Sequence, residues 1–192
     1  MTIATWFITG ASSGLGAALS RAVLERGDEA VVAARDVGAV QELVEAHPRT
    51  ALAVPLDVTD HGQAEAAVTA AIERFGAIDV LVNNAGHGYR AAVEEAAVEE
   101  VDELSATNVF GPVDLMKQVL PGMRRRRSGV IVNVSSIAAP TSNPGSGYYS
   151  ATKAALEGVS DALRREVGPL GIRVIVVVPG ALSPLKAHPA RR

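Results

Sequence analysis

Short apolar runs alternate along this chain with longer stretches in which hydrophobic residues recur every three or four positions. Runs that are apolar at consecutive positions suit strands buried on both faces, and the helical stretches between them suit crossover connections in a parallel sheet. The pattern predicts strands at residues 5–9, 30–34, 51–55, 80–83, 130–135 and 173–178. Helices fill the intervals. The first covers 14–26 and closes at Gly27, and the second covers 37–46 and ends before His47-Pro48. A third starts at His61, after the cap candidates Thr59 and Asp60, and stops before Gly76. Two longer helices follow over 98–126 and 147–167, the first interrupted at Gly111-Pro112. No linker or repeat breaks the alternation, so a layered α/β protein is expected.

Composition narrows this further. A chain of 192 residues, 48% hydrophobic and only 4% aromatic, is the right size for one domain with a sizeable core. We expect that domain at 1–180 and a short irregular tail with two prolines at 181–192. A net charge of -3 argues against a general nucleic-acid binder. The basic run from Arg124 to Arg127 ends a predicted helix, where cations complement the dipole. With no cysteine, disulfides, thiolate metal sites and cysteine nucleophiles are excluded, and a cytoplasmic setting is expected. Trp6-Phe7-Ile8 leads straight into a glycine-rich turn with no basic segment before it, which reads as a buried strand and not a signal peptide. The aliphatic run from Val174 to Val178 falls far short of the ~20 residues a membrane-spanning helix needs, so no membrane association is expected.

Two groups of residues carry candidate chemistry. Thr9-Gly10-Ala11-Ser12-Ser13-Gly14-Leu15-Gly16 lies between the first strand and the first helix, where backbone can approach a pyrophosphate and offer it helix N-terminal amides. Arg35 ends the second strand, 19 residues past Gly16, at the place where a dinucleotide fold reads the adenosine ribose. Its fork of donors suits a 2′-phosphate, which favours NADP(H) over NAD(H). The adjacent Asp36 is either a helix cap or a competing carboxylate. The second group is Tyr149 with Lys153 four residues on and Ser136 thirteen before. Residues i and i+4 share one helix face, so a cation there favours the phenolate of its neighbour and suits general acid–base work on an alcohol or carbonyl.

In combination these motifs resemble the short-chain dehydrogenase/reductase family, collinear over residues 5–180, with local wording nearest the 17β-hydroxysteroid and retinol dehydrogenase group. The resemblance implies a Rossmann-type doubly wound parallel sheet of about six strands, in the order 3-2-1-4-5-6, with helices on both faces. It implies an oxidoreductase interconverting a secondary alcohol and a carbonyl, with Tyr149 as proton donor and acceptor and Ser136 orienting the substrate oxygen. Lys153 would act on the tyrosine and the nicotinamide ribose, and Asn108 would hold a relay water. The family's acidic residue beside the adenine matches Asp57, followed by Val58. Its Asn-Asn-Ala-Gly matches Asn83-Asn84-Ala85-Gly86, and its Pro-Gly matches Pro179-Gly180. Tyr148 is not the match, since only Tyr149 has the lysine and serine at the right spacing. Pairing of two copies through the helices at 98–126 and 147–167 is implied as well.

Pro112 cannot donate to the Asn108 carbonyl. It either fixes a kink that offers this carbonyl to the relay water, with Gly111 absorbing the bend, or simply breaks the helix. The four histidines show no ligand spacing and no metal is expected; His87-Gly88-Tyr89 could border the substrate. The chain departs from the family after Gly180, where members continue for roughly fifty residues with a lid, a further helix and a last strand. It reads as C-terminally shortened, with Pro184 where the family often has a threonine. The strand at 173–178 should then be an exposed aliphatic edge, covered by the tail or a partner subunit, or prone to aggregation. A cofactor-binding but catalytically weak interaction protein and a non-functional fragment are the alternative readings.

Overall fold

A computed structural model describes residues 3–180. Six parallel strands, β1 (Thr5–Thr9), β2 (Glu29–Ala34), β3 (Ala51–Pro55), β4 (Val80–Asn83), β5 (Gly129–Val134) and β6 (Ile172–Val177), form one sheet in the order β3-β2-β1-β4-β5-β6. The order reverses beside β1, whose Phe7 is in register with Val31 of β2 on one side and Leu81 of β4 on the other. Such a switch point opens a crevice at the carboxyl ends of the strands, where doubly wound folds bind ligands.

Successive strand residues supply opposite faces of the sheet, which is why the runs are apolar throughout. Phe7, Val31, Leu81 and Ile131 pack with α3 (His61–Phe75), α5 (Gly111–Arg126) and α6 (Gly147–Val167). Ile8, Val32 and Val82 pack on the opposite side with α1 (Gly14–Glu25). That second layer is uneven. Val130, Val132 and Val134 of β5 are only half-buried there, and Ile175 and Val177 of β6 are 40% and 38% exposed. Among the described residues β6 pairs with β5 alone, as an edge. The residues at 181–192, expected to be an irregular tail, lie outside the described ones.

Three expectations needed revision. The helix at 37–46 divides into a 3-10 turn (Val37–Val40) and α2 (Gln41–Ala46). Asp36 caps the turn by accepting from the Gly38 amide at 2.9 Å, and it also lines the groove beside Arg35. The helix at 98–126 does not break at Gly111-Pro112. It runs as α4 (Val98–Ser105), a π-helical turn (Ala106–Phe110) and α5, with Pro112 in the first turn of α5, where a missing amide hydrogen is tolerated. Nor does Gly111 absorb a bend, since its backbone is ordinary right-handed helix (φ -58°, ψ -53°). A Cβ there would lie 2.6 Å from the Val58 carbonyl oxygen, so the glycine admits close packing.

Candidate active site

The turn after β1 is shaped by steric demands that only glycine meets. Gly10 has φ +64°, and a Cβ on it would sit 2.9 Å from the Ala85 Cα. A Cβ on Gly16 would run into the Gly10 carbonyl and lie 2.5 Å from Asn84 Nδ2. Beneath the turn, the Thr9 hydroxyl accepts from the amides of Asn84 (3.0 Å) and Ala85 (2.9 Å). Asn84 Nδ2 in return donates to the Thr9 carbonyl at 2.9 Å and the Gly10 carbonyl at 3.2 Å. These bonds tie the ends of β1 and β4 into one floor. Thr9 is 1% exposed and lines neither cavity described below, so it acts under the groove and not in it.

Above this floor lies a cavity of about 680 Å³, walled by Gly10, Ser12 and Ser13 on one side and by Arg35, Asp57 and Val58 on the other. Its remaining wall includes Ala85. Asp57 Oδ1 accepts from the Thr59 amide (2.9 Å) and hydroxyl (2.7 Å). These two bonds, against a partly opposing effect of burial, hold the carboxyl below the usual aspartate range, and the Arg35 charge adds to them. The Arg35 side chain is exposed at the rim.

A second cavity of about 250 Å³ adjoins the first through Leu15, Asn84, Gly86 and His87. Ser136, Tyr149 and Lys153 line it, with Pro179 and Gly180. Tyr149 and Lys153 project from one flank of α6, with Lys153 Nζ 6.0 Å from the centre of the Tyr149 ring. Lys153 is 5% exposed and donates to the Val134 carbonyl at 2.9 Å; burial pulls its pKa down to about 8. The Ser136 hydroxyl accepts from the Ala138 amide at 3.2 Å, which leaves its own hydrogen free to be donated.

Asn108 is fully buried behind Gly86 and reaches neither cavity. Its Oδ1 accepts from the His87 amide (3.1 Å), and its Nδ2 donates to the His87 carbonyl (2.9 Å) and the Thr152 hydroxyl (3.2 Å). Gly86 makes room for this, because a Cβ there would meet Asn108 Oδ1 at 2.9 Å and Lys153 Nζ at 3.4 Å. The side chain is therefore a clamp on the loop after β4. In the π-turn the Gly111 amide bonds to the Ala106 carbonyl, and Pro112 has no amide hydrogen, so the Thr107 and Asn108 carbonyls both lose their α-helical donors.

Several residues at the site escaped the sequence reading. Thr59 orients Asp57, Thr152 anchors Asn108 and passes its hydroxyl hydrogen to the Tyr149 carbonyl at 2.8 Å, and Glu103 and Thr107 face the larger cavity. Only Thr152 carried a signal, being three residues after Tyr149 on the same helix. Tyr148 is committed elsewhere, donating to the Val93 carbonyl at 3.0 Å. No described helix is long and apolar enough to cross a membrane.

Residues 4–190 match the family model for short chain dehydrogenase. The chain is 42% identical to a 3-ketodihydrosphingosine reductase of Bacteroides thetaiotaomicron, over 90% of this chain and 62% of that protein. A short-chain dehydrogenase structure from Streptomyces avermitilis superposes with a TM-score of 0.92 at 44% identity, covering 95% of this chain and 67% of that one. A metagenomic short-chain oxidoreductase solved in complex with NADP gives 0.87 at 30% identity, covering 93% and 83%. The chain spans less than two thirds of the length of several curated relatives it matches.

Proposed function

The chain belongs to the short chain dehydrogenase family, and from that premise we propose that it is an NADP(H)-dependent oxidoreductase interconverting a secondary alcohol and a carbonyl. The observation that carries the reading is the continuity of the two cavities. A dinucleotide-sized groove over the glycine turn opens, past Leu15 and Gly86, onto Ser136, Tyr149 and Lys153. The residues fit the cofactor: Gly10, Ser12 and Ser13 line the groove at the N-terminus of α1, and Gly16 lets the turn pack tightly on Asn84 beneath it. The NADP held by the metagenomic relative supports the same cofactor class.

When bound, the nicotinamide supplies or accepts the hydride. Tyr149 exchanges the proton at the substrate oxygen, and Ser136 donates a hydrogen bond to that oxygen. Lys153 is placed to stabilise negative charge on the Tyr149 oxygen and to donate to the ribose. Asn108 acts through its backbone. Its carboxamide is spent on His87, and the carbonyl freed by Pro112 is the group left to hold a relay water. Pro112→Ala would restore the helical bond to that carbonyl, lowering turnover and altering its pH profile; unchanged kinetics would sink this role.

Arg35, exposed at the groove rim, supports selection of the 2′-phosphate. Calorimetric titration with NADPH and NADH tests the reading first, followed by a screen of ketones and diketones. We expect NADPH preference, and a loss of roughly tenfold or more in NADPH affinity for Arg35→Ala with little change for NADH. NADH preference would remove the Arg35 argument alone. NADPH binding without turnover on any carbonyl would favour a binding protein, and binding of neither would end the proposal. We further propose a cytoplasmic homodimer paired through 98–126 and α6, whose exposed Ala151, Ala154, Ala155 and Gly158 suit close helix packing. Light scattering reads the mass.

A further inference from the structure

Three successive residues at the end of β5 are hydrogen-bonded to α6. Asn133 Nδ2 donates to Ser160 Oγ at 2.8 Å, Lys153 Nζ donates to the Val134 carbonyl at 2.9 Å, and Ser135 Oγ donates to Glu157 Oε1 at 2.5 Å. Lys153 belongs to the reaction pocket. Ser135 lines the edge of that pocket beside Ser136, and its bond to Glu157 joins the two walls. Ser135 directly precedes Ser136, and Glu157 lies one turn beyond Lys153 and two beyond Tyr149 on the same helix.

The bond is a strong, directed one on a helix that apolar packing already holds. Ser135 is 4% exposed, and its hydroxyl reaches a half-buried carboxylate at the short end of the range for charge-assisted O–H···O bonds. The helix is already held on the sheet by Leu156, Leu163 and Val167, each buried. Apolar contacts are non-directional and permit small slides, whereas a directed hydrogen bond to a charge fixes one register. Reactive groups need that register, because a misplacement of ~1 Å can cost on the order of 10²-fold in rate.

We propose that Ser135 and Glu157 are a positioning pair that sets the separation between the Ser136 hydroxyl and the Tyr149 phenol. This rests on the hydride-transfer reading above. Both members act through their neighbours, and the pair functions as one unit.

The test compares Ser135→Ala, Glu157→Ala, Glu157→Gln and the Ser135→Ala/Glu157→Ala double variant in two measurements. One is NADPH oxidation with 2,3-butanedione, acetophenone and phenanthrenequinone. The other is hydrogen exchange over residues 134–139. Each alanine variant should lower kcat by ~10–100-fold with the NADPH KM within about twofold, and the double variant should match the singles. Glu157→Gln keeps an acceptor oxygen and should stay within about threefold of the parent. Additive losses, an unchanged kcat in the alanine variants, or a glutamine variant as damaged as the alanine one would overturn the pair. Should the parent protein reduce none of these compounds, the hydride-transfer reading fails by itself, and exchange still judges the pair. Faster exchange at 135–139 in both alanine variants but not in Glu157→Gln upholds it; unchanged exchange overturns it.

Discussion

In the proposed reading the nucleotide half of the sheet is β3-β2-β1-β4 and the catalytic half β5-β6, and the two are built on different principles. The first is apolar on both faces and covered on both, with Phe7, Ile8, Val31, Val32 and Leu81 all fully buried. Its floor is made of backbone and of glycines that allow close packing, with a few polar side chains such as Arg35 and Asp57 at the rim. Among the described residues the second half is covered on one face, leaving Ile175 and Val177 exposed, and it holds its candidate reactive groups by polar links from β5 to α6. A rigid hollow suffices to bind a dinucleotide. Moving a proton requires named atoms at fixed separations, which directional bonds supply better than packing does.

The sharpest way to separate the halves is Tyr149→Phe. Removing the proton donor should lower turnover by about 10²–10⁴-fold while the NADPH dissociation constant stays within about twofold. A matched loss of cofactor affinity would mean that the halves are not separable. Lys153→Met comes next, because it sets function against stability in the catalytic half. Burial depresses the Lys153 pKa from 10.5 in the unfolded chain to about 8, so below pH ~8 the folded protein bears the full cost of a buried cation. Between pH ~8 and 10.5 the unfolded state binds more protons, and wild-type stability rises with pH. The methionine variant should lose turnover, and in its cofactor-free form should be more stable than the parent at pH 7, by up to about 3 kcal/mol, with its advantage shrinking across that window in denaturant titrations. A variant less stable at pH 7 would show that the lysine contributes more by packing than its charge costs.

In the nucleotide half, Gly16→Ala should cost about 1–3 kcal/mol of stability through overpacking and weaken NADPH binding at least tenfold, since the methyl collides with Gly10 and Asn84. Calorimetry on a folded sample reads this, and unchanged affinity would mean that the cradle relaxes. The smallest effect is expected at the open face. Ile175→Ala, at 40% exposure, should cost less than about 1 kcal/mol. A loss comparable to a core deletion would mean that the face is covered in solution.

The legible part of the site was the part written in local spacing. Tyr149 and Lys153 share a helix flank because they are four apart, and Gly10 and Gly16 bracket a turn whose geometry is local. Asn108 shows the limit. Its position was legible, but the direction of its carboxamide depended on His87, 21 residues away, and on Thr152, 44 away. The break expected at Gly111-Pro112 failed for a related reason. Gly and Pro together signal an interruption locally, whereas here the glycine answers to Val58 across a helix–loop contact and the proline sits where a helix tolerates it.

The sequence by itself determined the alternation of strands and helices, the parallel sheet and the candidate pair Tyr149 and Lys153 on one helix flank, because periodicity and chain-local spacing encode them. Tertiary structure decided the roles those side chains take. It put Thr9 under the groove, turned Asn108 into a clamp and brought Ser135 against Glu157. Each of those outcomes depends on which distant donor or acceptor arrives opposite a polar atom, and that is set by how helices settle on the sheet, a property of the packed whole that no run of neighbouring residues contains.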